Sequence, residues 1–478
     1  MKKAVSNPDN QFYLLICIYL ISHFYGITDP PSGFHQWRES DTAAVSEAFY
    51  RETLDFFQPL THQRKDKVGI TGMEFPVYNY SVGLMYRVLG FHHWIPRLLT
   101  ILIAGIGLLG LYRLAAFLFE KKIAVLSVFM VVCSPLFFFY SRKIQPDMIL
   151  FSGIIWGFYL FLKSEKEQST GLLLGSAVLI ILGALIKPTG LFIGVPLLYI
   201  ILKNNSLNGF QSVFKFKYFL FALITVIPVL SWNVYSNYLK TEYGLDVFFT
   251  GGNIIEYWKS TDWSGFFGRI FISWLFELFI GIPSVAGLAV GFFVSGKKDE
   301  NLKVFWWWIA GCYVIFFAVA QHMATYHDYY GIITVPAFSI LSAYFINELF
   351  KKGKWFSYFG WFVLFAAAVN VFPRIDQRYG DSTQEQFESV RNQFDKIIPK
   401  NERIAIEDET PAIELYKAGR FGWTFSKSAT DSVILSQINS GSGYAVFYKR
   451  EISENLGRQL VEVYSDSTMK IMKKNGNE

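Results

Sequence analysis

Two carboxylates and a set of cations stand in polar stretches between long apolar runs. The first stretch reads Phe34-His35-Gln36-Trp37-Arg38-Glu39-Ser40-Asp41-Thr42-Ala43-Ala44-Val45-Ser46-Glu47-Ala48. From Asp41 onward the spacing is helical, with Ala44, Val45 and Ala48 on one face, so Ser40 or Asp41 sits where an N-cap belongs. Asp41 is then either a capping carboxylate or a catalytic one, kept ionised by the helix N-terminus and ready to accept a proton. A second acid, Glu74, lies in Gly72-Met73-Glu74-Phe75-Pro76. It is either solvated or faces Asp41, with or without a divalent metal between them, since hard cations take oxygen ligands. Arg142, Lys143 and Asp147 share a turn, Ser141-Arg142-Lys143-Ile144-Gln145-Pro146-Asp147. Arg142 either pairs with Asp147 or binds an anionic headgroup. Lys187 precedes Pro188 and Gly190, either snorkelling at a helix end or meeting a phosphate as a point charge. His322 and His327 flank a Tyr-rich stretch at a spacing of five, which is not the i,i+4 spacing of a helical metal pair.

The elements that must position these groups are membrane helices. Of 478 residues, 52% are hydrophobic, 18% aromatic and only 17% charged, which excludes a disordered chain and an ordinary soluble enzyme. The apolar runs fall near 11–27, 94–118, 123–140, 147–162, 170–186, 190–202, 218–238, 270–295, 303–320, 329–349 and 355–372, eleven in all. Several are shorter than the ~20 residues of a full span. The first lacks a small-residue cleavage site and reads as an uncleaved helix. Cys17, Cys133 and Cys312 lie in apolar runs and suggest neither a disulfide framework nor a metal knuckle.

Lysines set the orientation. Lys121, Lys122, Lys163, Lys166, Lys203, Lys215, Lys217, Lys297, Lys298, Lys303, Lys351, Lys352 and Lys354 all fall in alternate gaps between the runs. By the positive-inside rule those gaps and the N-terminus are cytoplasmic. The net charge of +6 therefore reflects topology rather than nucleic-acid binding. The other gaps, including loop 28–93, the second loop 239–269 and all five polar stretches, face outward. Residues 1–372 read as the transmembrane catalytic domain. Residues 373–478 read as a small extracytoplasmic α/β domain, with strands at Arg403–Glu407 and Tyr444–Tyr448 and a helix over 383–397.

In order along the chain, these motifs resemble the GT-C glycosyltransferases, and among them the family 39-like group that includes protein O-mannosyltransferases and the lipid A aminoarabinose transferase. Asp41 falls on the family's catalytic Asp, with Ala43 and Glu47 in register; Thr42 stands where the family usually has Glu. Glu74 and Pro76 fall on its Glu and first Pro, with Phe75 in place of Lys. Arg97, Arg142…Asp147, Lys187 and His327-Asp328-Tyr329-Tyr330…Pro336 follow its later segments. The resemblance covers about 30–350. It implies a mainly α, polytopic GT-C architecture. It implies transfer of a sugar from a polyprenyl-phosphate donor to a lipid, protein or glycan acceptor outside the cytoplasmic (inner) membrane, with inversion. Asp41 is then the general base, and Glu39, Glu74, Arg142, Asp147, Lys187, His327 and Tyr330 are substrate contacts. A metal held by Asp41 and Glu74 stays open; no other cofactor is called for.

A transporter or flippase for a lipid-linked glycan is the competing reading, and Glu277, inside the apolar Trp274–Phe279, is its best support. Against it, the chain shows no matched halves with paired broken helices.

Overall fold

The computed structural model describes residues 7–64, 68–204, 215–245, 254–279, 281–295, 299–320, 327–376, 378–380, 382–410, 413–448 and 450–475. Lys297, Lys298 and His322 lie outside them. The chain forms two compact units. The first comprises Met1–Gly26, Arg97–Trp232 and Gly252–Arg378; the second comprises Ile27–Pro96, Asn233–Gly251 and Tyr379–Glu478. The first loop thus groups with the C-terminal segment.

Among the described residues of the first unit, the apolar runs form helices, several of them interrupted. Trp94–Leu118, Asp147–Glu167, Phe216–Tyr243 and Lys354–Asp376 are each long and apolar enough to cross a membrane. The other runs are shorter or broken. Thr170–Ile186, Pro188–Asn204 and Leu302–Ala318 are short apolar helices, and Trp263–Phe279 with Gly281–Val294 forms a bent pair. Local chemistry sets the breaks. Lys121–Val132 stops at Cys133, and Ser134 caps a new helix that has Pro135 in its first turn. Large apolar side chains point away from the protein: Val234, Phe293, Phe365 and Phe372 are 72, 83, 70 and 66% exposed. Aliphatic and aromatic surface on that scale needs lipid around it.

Helices Asp147–Glu167 and Thr170–Ile186 pack most closely. A Cβ at Gly153 would stand 2.6 Å from the Leu179 carbonyl oxygen, and Ser176 Oγ donates to the Gly157 carbonyl at 2.7 Å. Small residues let these backbones touch, as membrane helix pairs favour. The lysine-bearing connections meet at the helix ends remote from Asp147. There Lys121 pairs with Asp9 (2.6 Å), Lys217 with Glu165 (3.0 Å) and Lys351 with Glu120 (3.3 Å). Glu277 is not an isolated charge: Arg374 approaches it at 3.5 Å.

The second unit carries a five-stranded sheet in the order β2-β1-β3-β5-β4, with β1 (Ile404–Glu407), β2 (Gly422–Phe425), β3 (Tyr444–Tyr448), β4 (Leu460–Ser465) and β5 (Met469–Lys474). β2, β1 and β3 run parallel; β5 is antiparallel to β3, and β4 to β5. Period-two alternation splits the core. Ile404, Ile406 and Val446 face Phe394, Ile398 and Leu415, while Ala405, Ala445 and Phe447 face Ile434, Ile438 and Leu456. The expected helix appears as Gln384–Ile397, opened by a Thr383–Gln386 capping box. The first loop closes the β2 edge: Gly422 donates to the His62 carbonyl at 3.0 Å, and the Arg64 amide donates back to Gly422 at 2.6 Å.

The helix Gln36–Arg51 is buried from Arg38 to Phe49 although half of it is polar. Asn79 of the neighbouring helix Val77–Leu89 donates to the Thr42 carbonyl at 2.7 Å. Helix Ile413–Ala418 also packs against it. Glu47, 2% exposed, is met by both terminal nitrogens of Arg391, at 2.9 and 2.8 Å, and by Arg51 at 3.2 Å. Burial works to raise the Glu47 pKa, but Arg391 and Arg51 outweigh it and hold it at about 2, against an ordinary 4.5. The stabilisation from a depressed carboxyl is present above the unfolded pKa and lost as pH falls through the folded one. Wild-type stability is therefore expected to decline between pH 4.5 and 2. Glu47→Gln should make that decline shallower. At pH 7 it should cost about 3–5 kcal/mol, because Arg391 is left buried without its carboxylate. Denaturation of the purified protein as a function of pH reads both effects; an unchanged acid slope would contradict the assignment.

Candidate active site

The carboxylate cluster of the second unit grows from the start of Gln36–Arg51. The helix opens at Gln36, after His35 in a left-handed conformation (φ 61°), and not at Ser40 or Asp41. Asp41 is therefore no N-cap. It lies in the second turn, where the backbone amides are already engaged by the helix. The expectation that a helix N-terminus keeps Asp41 ionised is corrected accordingly. Asp41 is 2% exposed, and its Oδ1 has no hydrogen-bond partner. Burial raises its pKa well above the ordinary carboxylate value; Arg38 opposes the rise, while Asp408 and Glu74 add to it. Arg38, one turn earlier, forms a buried ion pair with Glu74, just ahead of the helix that begins at Val77. Glu39 is fully buried beside them.

Asp408 follows the carboxyl end of β1 and was not singled out by the sequence. It accepts from the Thr410 and Glu414 amides at 2.9 and 2.8 Å, and burial pushes its pKa up to about 6. The strand β1 brings a third carboxylate into electrostatic reach of Asp41 from a segment more than 300 residues away, as the chain numbers show. A buried base with an unsatisfied oxygen and a raised proton affinity is suited to taking a proton from a nucleophile. The donor set fits a divalent cation poorly. Glu74 is committed to Arg38, and among the described residues no three His, Cys, Asp or Glu side chains are placed to share a metal.

The second cluster belongs to the first unit. Helix Asp147–Glu167 begins at Asp147, and Thr170–Ile186 returns to end at Lys187. Lys187, 7% exposed, forms a buried ion pair with Asp147. It neither snorkels to the surface nor leaves Asp147 to Arg142. Tyr329 and Tyr330 cover the ammonium, with ring centroids 3.8 and 5.1 Å from Nζ. His327 Nδ1 lies 2.6 Å from the Tyr329 hydroxyl. Asp328 is held by the Tyr140 hydroxyl and by Arg378 at 2.7 Å. Arg142 is buried, its carbonyl accepts from Arg97 at 3.1 Å, and its guanidinium lies over Tyr25. His23 anchors the same turn through Ser141 Oγ at 2.8 Å.

The structure thus brings Asp147, Lys187, His327 and Tyr330 into one cluster and Glu39, Asp41 and Glu74 into another, while the contacts of Arg142 are to Arg97 and Tyr25. Tyr140, Asp328 and Tyr329 lie inside the same polar stretches as Arg142 and His327 but have no role read from type or spacing, whereas Arg378, just past the last apolar run, carries no local signal.

Lys187→Met is expected to lower stability by about 3–5 kcal/mol, because it strands the buried Asp147 charge. Replacing both partners, Lys187→Met with Asp147→Leu, should recover much of that loss. Thermal unfolding in detergent reads the difference; a double variant as unstable as Lys187→Met alone would contradict the pairing.

Residues 74–232 match the family model described as dolichyl-phosphate-mannose-protein mannosyltransferase, a stretch that holds Glu74, Arg142, Asp147 and Lys187. No curated protein matches by sequence. Among solved structures, ArnT from Cupriavidus metallidurans bound to undecaprenyl phosphate aligns with a TM-score of 0.65 at 12% identity, covering 97% of this chain and 98% of that one. AglB, an oligosaccharyltransferase of Archaeoglobus fulgidus solved with an inhibitory peptide and a dolichol-phosphate, aligns at 0.58 and 10% identity, covering 91% of this chain and 69% of that one. The arabinofuranosyltransferase AftD from Mycobacteria aligns at 0.61 and 12% identity over 98% of this chain and 40% of that one. The chain accordingly has the fold of the GT-C membrane glycosyltransferases, with a family 39-like segment over residues 74–232.

Proposed function

We propose that this protein is an integral-membrane glycosyltransferase that moves a sugar from a polyprenyl-phosphate donor to an acceptor at the outer face of the cytoplasmic membrane, with inversion at the anomeric carbon. The observation that carries the reading is Asp41, a buried carboxylate with one unpartnered oxygen beside an ion-paired Glu74. The GT-C fold supports it: ArnT was solved with undecaprenyl phosphate and AglB with a dolichol-phosphate. The lysine asymmetry supports an N-terminus inside and the C-terminal sheet outside.

In the proposed reaction Asp41 accepts the proton of the acceptor hydroxyl or amine as that atom attacks the anomeric carbon. Attack comes from the face opposite the phosphate. The anomeric carbon–oxygen bond breaks, and its electron pair leaves on the polyprenyl phosphate. Negative charge grows on that leaving group, so cations stabilise the transition state more than the ground state. Arg142 and Lys187 are assigned to that phosphate, with His327 and Tyr330 at its border. The aromatic cover of Lys187 and its pairing with Asp147 hold the ammonium in one place before substrate arrives. Glu39 and Glu74 are assigned to sugar or acceptor hydroxyls. The carboxylates fit a divalent cation poorly, since Glu74 is committed to Arg38.

The test is sugar transfer in membrane vesicles loaded with a radiolabelled polyprenyl-phosphate-sugar pool. Asp41→Asn, an isosteric change, is expected to lower turnover by ~10²–10⁴-fold at matched protein level. Wild-type turnover in Asp41→Asn would remove the base role. Label that crosses the bilayer yet stays on its lipid, equally in both proteins, would move the assignment to a flippase.

A further inference from the structure

Away from Asp41, the second unit contains a cavity of 520 Å³ that the transfer reaction does not use. Four cations line it, Arg51, Arg391, Lys400 and Arg420, against two carboxylates, Glu47 and Asp395. The lining therefore carries a formal excess of two positive charges.

The four cations are not equivalent. Arg391 and Arg420 are fixed. Arg391 is bidentate on Glu47 and stacked on Phe91, Phe387 and Tyr416, with its guanidinium carbon 4.7, 4.5 and 5.2 Å from the ring centroids. Arg420, 2% exposed, holds Asp395 at 2.8 Å and the Ile398 carbonyl at 2.7 Å. The Nε of each has no hydrogen-bond partner. Arg51 and Lys400 sit looser, with side chains 26% and 75% exposed, and their contacts to Glu47 and Asp395 are 3.2 and 3.1 Å. The Lys400–Asp395 pair is the exposed one and exchanges readily for another anion; Arg51 keeps its contact to the buried Glu47 and also donates to the Gly419 carbonyl at 2.9 Å. Tyr50 and Phe91 supply aromatic wall. The volume lies within the ~300–1,000 Å³ range of small-molecule sites.

We propose that this cavity binds an acidic sugar unit, its carboxylate or phosphate group taken by Arg51 and Lys400 and its ring laid against Tyr50 and Phe91. Guanidinium forks match planar carboxylate and phosphate oxygens. With Glu47 matched by Arg391 and Asp395 by Arg420, the positive excess rests on Arg51 and Lys400. A neutral glycan offers nothing to the charge excess. A polyprenyl chain offers nothing to a lining dominated by ions. The occupant this lining fits is an anionic saccharide, and the site is separate from the proton-transfer chemistry of Asp41.

The experiment is calorimetric titration of the full-length protein in detergent with trigalacturonic acid, maltotriose and inorganic phosphate. Trigalacturonate should bind, more weakly as salt is added, and maltotriose should not. Arg51→Gln combined with Lys400→Gln should weaken binding by about tenfold or more. Lys400→Gln alone, at the most exposed position, should weaken it measurably and keeps the test readable if the double variant does not fold. Asp41→Asn should bind as wild type, so failure of the transfer assay and failure of this proposal remain distinct. Competition by inorganic phosphate against trigalacturonate would support anion recognition in the cavity. The proposal is overturned if folded wild type ignores trigalacturonate, if maltotriose binds as tightly, if phosphate binds and the sugar acid does not, or if folded Lys400→Gln and the double variant both titrate as wild type.

Discussion

Glu47 can be buried only because Arg391 meets both of its oxygens, at 2.9 and 2.8 Å. An isolated carboxylate at that depth would cost far more than helix packing returns. The pair lets the polar helix Gln36–Arg51 sink between Val77–Leu89 and Ile413–Ala418, and the rest of the second unit follows from that burial. Because the helix sinks, Asp41 loses water and its proton affinity rises. Because Arg391 comes from Gln384–Ile397, that helix and the sheet it covers are fastened to the first loop. The exchange of hydrogen bonds between His62, Arg64 and Gly422 completes the attachment.

The first unit obeys the same rule in an apolar setting. Lys187 and Asp147 share a buried ion pair at the ends of two helices whose glycines bring their backbones into contact. Tyr329 and Tyr330 also cover the ammonium. Asp41 keeps one oxygen unpartnered, whereas in both units buried charges are met by opposite ones, as Glu47 is by Arg391 and Asp147 by Lys187. This is how a membrane protein keeps ionisable side chains available at low dielectric without unfolding.

Electrostatics also separates the roles of the carboxylates. Glu47 is held ionised by two arginines and serves structure. Glu74 is neutralised by Arg38. Asp41, with one oxygen left over, carries the property a base needs. Asp408, just past β1, adds to the rise in the Asp41 proton affinity.

Composition and lysine spacing alone settled that this is a membrane chain with a small terminal α/β segment, because lipid imposes long apolar runs and the positive-inside bias acts locally along the chain. Asp41, Glu74, Arg142, Asp147, Lys187 and His327 stand out in the sequence by type, as ionisable residues between apolar runs. Strands β1 and β3 were readable from their dense apolar patterns. β2, only four residues long, and β4, exposed over most of its length, were not. The true helix start at Gln36 was hidden because His35 adopts φ 61° without a side-chain cap, so no capping residue marks it. Tertiary structure alone decided the partners: Arg38 for Glu74, Lys187 for Asp147, Arg391 for Glu47, and Asp408 near Asp41. Those pairings join segments tens to hundreds of residues apart. Ion pairing and desolvation depend on distance in space, and sequence spacing carries that distance only within a helix turn or a strand.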